Sequence, residues 1–180
     1  CGYLDQGTIA LADSNWLEMD YRPVGNQPFT FRKIGMDLAK LGHTLVVGYD
    51  PYSKHEVVDG KYAVRQATCK NSIPILQRLL PSKEINSLRD VSVGDFSDIK
   101  DQFFRQAGER MTNFVKHVVD ENNRVLQAVL ALKRENIGRF GELMTASGKS
   151  AIELYNLAEG TPELRFVYET VIANQKQWSV

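Results

Sequence analysis

The sequence has 180 residues, 43% of them hydrophobic and 24% charged, so it is long enough to form a globular body with a sizeable core. Lysine plus arginine equals aspartate plus glutamate at 22 each, which argues against nucleic acid or an anionic membrane as a partner. The apolar runs are far shorter than the roughly 20 residues of a membrane span, so we expect a small molecule or another protein as the partner.

The first part of the chain predicts a short helix and an antiparallel sheet. Leu4 to Ala12 predicts a helix that begins near Asp5. Alternating apolar residues and one β-branched run predict three strands, over Leu17–Tyr21, Phe29–Phe31 and Thr44–Tyr49. We therefore expect residues 1–58 to be strand-rich.

From residue 59 to residue 180 the apolar period is that of a helix. A first helix should bend at Pro74 and end at Pro81, because proline lacks a backbone donor and crowds the preceding turn. Three more helices are predicted, from about Arg105 to Arg134, from Ile137 to near Gly148, and from Thr161-Pro162 to Ala173. We expect one α+β domain over residues 1–180.

Two candidate motifs of the helical part have ordinary explanations. Gly148-Lys149-Ser150 resembles the end of a phosphate-binding loop, but that motif needs a glycine where Leu143 stands and a strand before it. We interpret it as a helix C-terminus closed by glycine and lysine. The three histidines share no metal-ligand spacing with the cysteines, so we predict no metal site, and His117 among apolar neighbours is interpreted as structural.

Cysteine content bears on the cellular location of the protein, and the start of the sequence bears on whether it is a fragment. Only Cys1 and Cys69 are present, and no signal-peptide pattern leads the chain, so we expect a reducing, cytoplasmic location. The sequence opens inside a candidate functional motif, and we expect it to be a fragment of a longer chain.

The opening CGYLDQ carries the main candidate for chemistry. Gly2 permits close approach of the backbone to a ligand, and Asp5 stands at the predicted helix start. The residues alone leave two interpretations of Asp5 open. It is either a helix N-cap or a carboxylate in a binding site.

Four ordered blocks point to a known family. They are CGYLDQ together with Lys54-His55, then GKYAVRQATC, then KHVVDENNRVLQAV, then ENIGRFGELMTASG. In this order they resemble the galactokinases and their near relatives in the GHMP kinase superfamily. The resemblance implies the two-lobed α+β fold of GHMP kinases, of which this chain would be a fragment with a small antiparallel sheet followed by a mainly helical region.

The resemblance implies a sugar-1-kinase that transfers the γ-phosphoryl group of ATP to the anomeric hydroxyl of a hexose, with galactose first. It makes Asp5 the catalytic residue at that hydroxyl and gives Gly2, Asp5 and Tyr62 substrate-binding roles. ATP and Mg²⁺ are the implied cofactors. The family's phosphate loop is not found in this sequence, so we expect their ligands mostly outside it and the 180 residues alone to be inactive.

Departures from the galactokinase pattern leave the sugar and the activity open. Galactokinases commonly have Asn-x-x-His where this chain has PYSKH, a glutamate at Lys61 and a second arginine at Gln66. The stretch TASGKSAIELY, with its Gly148, is closer to galacturonokinases and arabinokinases. The alternatives are therefore a galacturonate or arabinose 1-kinase, a catalytically silent galactokinase-like regulatory protein, and a helical interaction domain.

Overall fold

The computed structural model describes residues 3–13, 15–44, 46 and 61–178. A small antiparallel sheet is followed by mainly helical structure, which confirms the predicted α+β class. In chain order the elements are α1 Tyr3–Leu11, β1 Trp16–Asp20, β2 Thr30–Ile34, α2 Lys61–Leu79, a 3-10 helix Leu88–Asp90, α3 Val93–Lys133, α4 Ile137–Glu153 and α5 Pro162–Trp178.

β1 and β2 form an antiparallel hairpin in which Trp16 pairs with Ile34 and Glu18 with Arg32. The Arg32 guanidinium donates two hydrogen bonds to the Glu18 carboxylate, from Nε at 2.8 Å and from Nη2 at 2.7 Å. A pair of this kind on an exposed face contributes only about 0.2–1 kcal/mol. It nevertheless favours this register over a shifted one, because the two charges stand directly opposite each other.

The third predicted strand, Thr44–Tyr49, falls mostly outside the described residues. Only Thr44 and Val46 of this run are described, and neither lies in a strand. β2 begins at Thr30 and continues to Ile34, beyond the predicted end at Phe31. Ile34 is 5% exposed, so burial of its side chain explains why the strand extends this far.

The chain divides into two compact units, of which the first comprises Cys1–Gly48 and Gln127–Phe140. Its core is formed by Ile34, Met36, Val129 and Leu132. The rings of Trp16 and Phe140 pack edge to face beside this core, with centroids 5.3 Å apart. The last turns of α3 thus join the hairpin in one apolar cluster.

The second compact unit comprises Tyr49–Leu126 and Gly141–Val180. Leu76, Phe103 and Val115 are fully buried at its centre, and each such side chain contributes about 1.5–3 kcal/mol when it leaves water. α2 includes Pro74 and ends at Leu79, just before Pro81, as predicted. Two compact units are compatible with one domain, so the predicted single domain stays a prediction.

α3 begins at Val93, earlier than the predicted start near Arg105. Ser92 and Asp95 cap each other's backbone, because Asp95 N–H donates to Ser92 Oγ at 3.1 Å and Ser92 N–H donates to Asp95 Oδ2 at 2.9 Å. Gly108 interrupts the helix with φ 73° and ψ 173°, a conformation open essentially to glycine alone. The predicted helix is therefore two helical segments that meet at Gly108.

The predicted end of α4 near Gly148 is wrong, because the helix continues to Glu153. Ser150 and Ile152 follow on the buried side, so ending the helix at Gly148 would expose them. A Cβ atom at Gly148 would lie 3.4 Å from Tyr168 Cε2 in α5. The glycine therefore allows close approach of a neighbouring helix and does not close its own.

Among the helices of the described residues, none is long and apolar enough to cross a membrane.

Candidate functional site

Asp5 lies in the first turn of α1 with its side chain exposed to solvent. The first turn of a helix carries unpaired N–H groups and a partial positive charge, which stabilise a nearby carboxylate by about 0.3–1 kcal/mol. The predicted helix start near Asp5 is confirmed. The carboxylate is therefore held at a helix end and open to a ligand.

Gly7 holds α1 against the hairpin. It is buried, and a Cβ atom at this position would lie 2.6 Å from Met19 Cε and 3.7 Å from Phe29 Cζ. The hydroxyl of Thr8 donates to the carbonyl oxygen of Leu4 at 2.7 Å, and its Oγ1 lies 3.9 Å from the sulfur of the same Met19. The missing side chain at Gly7 therefore lets the helix that carries Asp5 lie directly on β1.

Tyr21 follows β1 and lies within reach of the Asp5 charge. Burial foremost, and then the negative charge of Asp5, raise the pKa of the Tyr21 phenol. Tyr21 was not among the site residues predicted from the sequence. The available signal was the alternation of Leu17, Met19 and Tyr21, which places all three on one side of the strand.

The other residues predicted to bind the sugar are Tyr62 and Gly2. Tyr62 lies in the first turn of α2, and 68% of its surface is exposed. Asp5 belongs to the first compact unit and Tyr62 to the second. Gly2 and the Lys54-His55 pair lie outside the described residues. The roles of Gly2, Asp5 and Tyr62 therefore stay predictions.

Arg65, three residues after Tyr62 on α2, is an anchor that the sequence analysis missed. It is 8% exposed, and it donates from Nε to the carbonyl oxygen of Tyr155 at 3.1 Å and from Nη2 to that of Asn156 at 2.6 Å. Its guanidinium carbon lies 5.8 Å from the centroid of the Tyr155 ring. Arg65 thereby ties the start of α2 to the turn that follows α4.

His117 and Tyr155 stack inside the second unit, with ring centroids 4.5 Å apart and 26° between the ring planes. His117 Nδ1 lies 2.9 Å from Ser150 Oγ, and both side chains are buried. Burial foremost raises the pKa of Tyr155 to about 12, so its phenol stays neutral at physiological pH. The interior position of His117 agrees with the structural role predicted for it.

A second polar group lies on α3 and α4 of the same unit. Ser147 Oγ donates to Glu121 Oε2 at 2.7 Å, and Glu121 also pairs with Arg124. Among the described residues, the buried Nη2 of Arg124 and Nδ2 of Asn122 have no hydrogen-bond acceptor. The amide nitrogen of Asn122 is thus a buried donor on α3.

We expect the stability of the protein to fall as the pH drops below about 6.5, the ordinary pKa of histidine. Burial foremost lowers the pKa of His117 in the folded state, and the neighbouring charges of Glu121, Arg124 and Asp120 act less strongly. The folded state therefore resists protonation while the unfolded chain accepts the proton. The stabilisation is complete above the unfolded pKa and is lost progressively at lower pH.

Urea unfolding of the wild type, His117→Gln and His43→Gln between about pH 7.5 and pH 5.5 measures this effect. The slope of stability against pH should flatten in His117→Gln and stay unchanged in His43→Gln, because His43 is exposed. Protonation of Asp95 affects stability only at lower pH, because a hydrogen bond from Lys83, more than any other interaction, lowers the pKa of Asp95 to about 2. Equal slopes in all three proteins would contradict the role of His117.

The described residues do not fit ATP or Mg²⁺. The Gly148-Lys149-Ser150 stretch lies inside α4, where its backbone amides belong to the helix. In the described part of the chain, no three His, Cys, Asp or Glu side chains come together to hold a metal ion. The expectation that the ligands of ATP and Mg²⁺ lie mostly outside this chain stays a prediction.

Comparison with known proteins confirms the predicted resemblance to galactokinases. The chain is 28% identical to the galactokinase of Clostridium tetani over 87% of its length, 29% identical to that of Mannheimia succiniciproducens over 94%, and 29% identical to that of Haemophilus influenzae strain PittGG over 95%. The chain spans only 37%, 39% and 40% of these three relatives. No protein-family model matches the chain, and no solved structure matches it.

Proposed function

Because the chain is a relative of the galactokinases, we propose that it provides the sugar-binding part of a sugar-1-kinase. The reaction transfers the γ-phosphoryl group of ATP to the anomeric hydroxyl of a hexose, with galactose as the first candidate. One observation carries this proposal, namely the similarity to proteins named galactokinase over 87–95% of the chain. ATP is a substrate of this reaction, and its binding site belongs to the part that the described residues do not supply.

The position of Asp5 supports the proposed chemistry. Phosphoryl transfer needs mainly the positioning of the attacking hydroxyl and the stabilisation of charge. An exposed carboxylate on a helix that packs against a hairpin can accept a hydrogen bond from that hydroxyl and hold or take its proton. Asp5 is accordingly the catalytic residue of the proposal, and Gly2 and Tyr62 are the further sugar contacts.

Three sugars are candidates for the substrate. Galactose comes first because the relatives are named galactokinases. Galacturonate and arabinose are the alternatives, on account of the residues at Lys61, Gln66 and Gly148. Asp5 argues against a catalytically silent regulatory protein, because such a protein has no need of this carboxylate.

Sugar-dependent release of ADP tests the proposed function. The complete gene product, whatever its length, is assayed with galactose, galacturonate and arabinose, and the 180-residue chain is assayed beside it. We expect turnover by the complete product with one of the three sugars. The 180 residues alone should release no ADP, since the described residues hold no nucleotide cradle. No turnover by the complete product with any of the sugars would contradict the proposal.

A further inference from the structure

Met19 and Tyr21 form a continuous surface beside α1. They are two residues apart along β1 and its extension, so both side chains lie on the same side of the hairpin. Met19 is the residue against which Gly7 of α1 packs. The ring of Tyr21 rests against Phe29 with centroids 6.0 Å apart and 46° between the ring planes. Tyr21 is therefore fixed at the edge of the surface that α1 covers.

Among the described residues, the hydroxyl of Tyr21 has only a weak hydrogen-bond acceptor, although packing fixes the position of its ring. It donates to Met19 Sδ at 3.6 Å, and a thioether sulfur is a weak acceptor. The side chain is 44% exposed, so a ligand in solvent can reach the O–H group. A ligand hydroxyl would be a stronger acceptor than the thioether.

We propose that Tyr21 is a further sugar-contacting residue beside Asp5, and that its phenol O–H donates a hydrogen bond to a ring hydroxyl of the sugar. This inference rests on the proposed function and adds to it a specificity-determining residue. The geometry that carries it is the contact of the Tyr21 hydroxyl with Met19 Sδ at 3.6 Å. Gly7 and Thr8 of α1 pack on the same Met19 side chain, so Tyr21 lies beside the helix that carries Asp5.

The chemistry of the two groups is complementary. A tyrosine phenol is protonated and able to donate at neutral pH, and partial burial first and then the charge of Asp5 raise the pKa of Tyr21 further. A carboxylate such as that of Asp5 accepts hydrogen bonds only. A sugar hydroxyl both donates and accepts, so adjacent hydroxyls of one ring can satisfy both groups at once.

The test compares Tyr21→Phe with Tyr168→Phe in the complete gene product. Tyr21→Phe removes the hydroxyl and keeps the ring that rests on Phe29. Tyr168→Phe makes the same change in the second unit, where the ring lies against Gly148. Steady-state kinetics are measured with the preferred sugar and with deoxy analogues that each lack one ring hydroxyl.

We expect Tyr21→Phe to raise KM for the sugar about 2- to 13-fold with little change in kcat, as for the loss of one neutral hydrogen bond. The analogue that lacks the contacted hydroxyl should show no difference between the wild type and Tyr21→Phe. Tyr168→Phe should behave as the wild type. The melting temperature of Tyr21→Phe should be unchanged. If the hydroxyl had only a structural role, a raised KM would instead be accompanied by a lower melting temperature.

Two outcomes overturn the inference in distinguishable ways. A wild type that turns over sugar and a Tyr21→Phe variant with the same KM would overturn the role of Tyr21 and leave the proposed function intact. The role of Tyr21 would also be overturned if Tyr21→Phe raised KM by the same factor for every deoxy analogue. A wild type that releases no ADP with any sugar would overturn both.

Discussion

Asp5→Asn is expected to lower kcat of the sugar-dependent reaction by about 10²- to 10⁴-fold, the usual contribution of a positioned acid–base group. Asparagine keeps the shape of the side chain but removes its charge and its capacity to hold a proton. The site is exposed at the first turn of α1, so the structural cost should be small, about 0.3–1 kcal/mol from the helix end. Turnover and thermal unfolding of the same preparations measure the two effects separately.

Asp13→Asn is the matched control for this substitution. Asp13 is exposed, forms an ion pair with Lys33 at 3.6 Å, and has a φ of 47° that asparagine tolerates well. Its replacement should leave kcat unchanged. A variant Asp5→Asn that loses some stability but keeps full turnover would show that Asp5 acts only at the helix end, as in a helical interaction domain.

Arg65→Met is expected to lower the free energy of unfolding by about 2–4 kcal/mol. The substitution leaves the carbonyl oxygens of Tyr155 and Asn156 without their charged donor and removes the cation above the Tyr155 ring. Methionine fills a similar volume, so the loss reports on the hydrogen bonds more than on a cavity. Arg65→Lys should fall between the two proteins, because one ammonium group replaces a planar fork of donors.

Urea unfolding of Arg65→Met beside Arg78→Met measures this effect. Arg78 lies on the same helix, but its hydrogen bond to Gln106, with 3.3 Å between Nη2 and Oε1, is exposed. The control should change stability by no more than about 0.5 kcal/mol. Equal stability of Arg65→Met and the wild type would contradict the anchoring role of Arg65. If Tyr62, one turn away, contacts the sugar as proposed, Arg65→Met should also weaken sugar binding.

Local sequence signals located much of the helical part. Proline chemistry placed the end of α2 before Pro81 and the start of α5 at Pro162. The early start of α3 was missed although its signals were present. Ser92 and Asp95 have the spacing of a capping box, and the apolar residues that follow them recur at helical intervals, at Phe96, Ile99 and Phe103.

Glycines were the least predictable residues, because their role depends on the environment. The sequence around Gly148 indicated a helix end. In the structure Gly148 lies inside α4, where its missing side chain leaves space for the ring of Tyr168. Gly108 gave no signal within its polar surroundings, yet it interrupts α3. A glycine that ends a helix and one that lets two elements approach closely look the same in a single sequence.

The buried anchor of α2 could not be predicted from the sequence. Arg65 and Tyr155 are 90 residues apart, and no periodicity relates residues at that distance. At Asp5 the helix start was predictable from the local pattern, whereas the neighbourhood of Tyr21 depends on how α1 packs against the hairpin through Gly7. Local patterns therefore gave the elements, and tertiary packing determined which polar side chains meet.

The position of the transferred phosphoryl group tests the central claim most directly. Phosphorus NMR of the product formed by the complete gene product from ATP and galactose identifies the phosphorylated hydroxyl. The proposed sugar-1-kinase predicts a sugar 1-phosphate, which Asp5→Asn should form about 10²- to 10⁴-fold more slowly than the wild type. A phosphate on another hydroxyl, or consumption of ATP without any sugar phosphate, would contradict it.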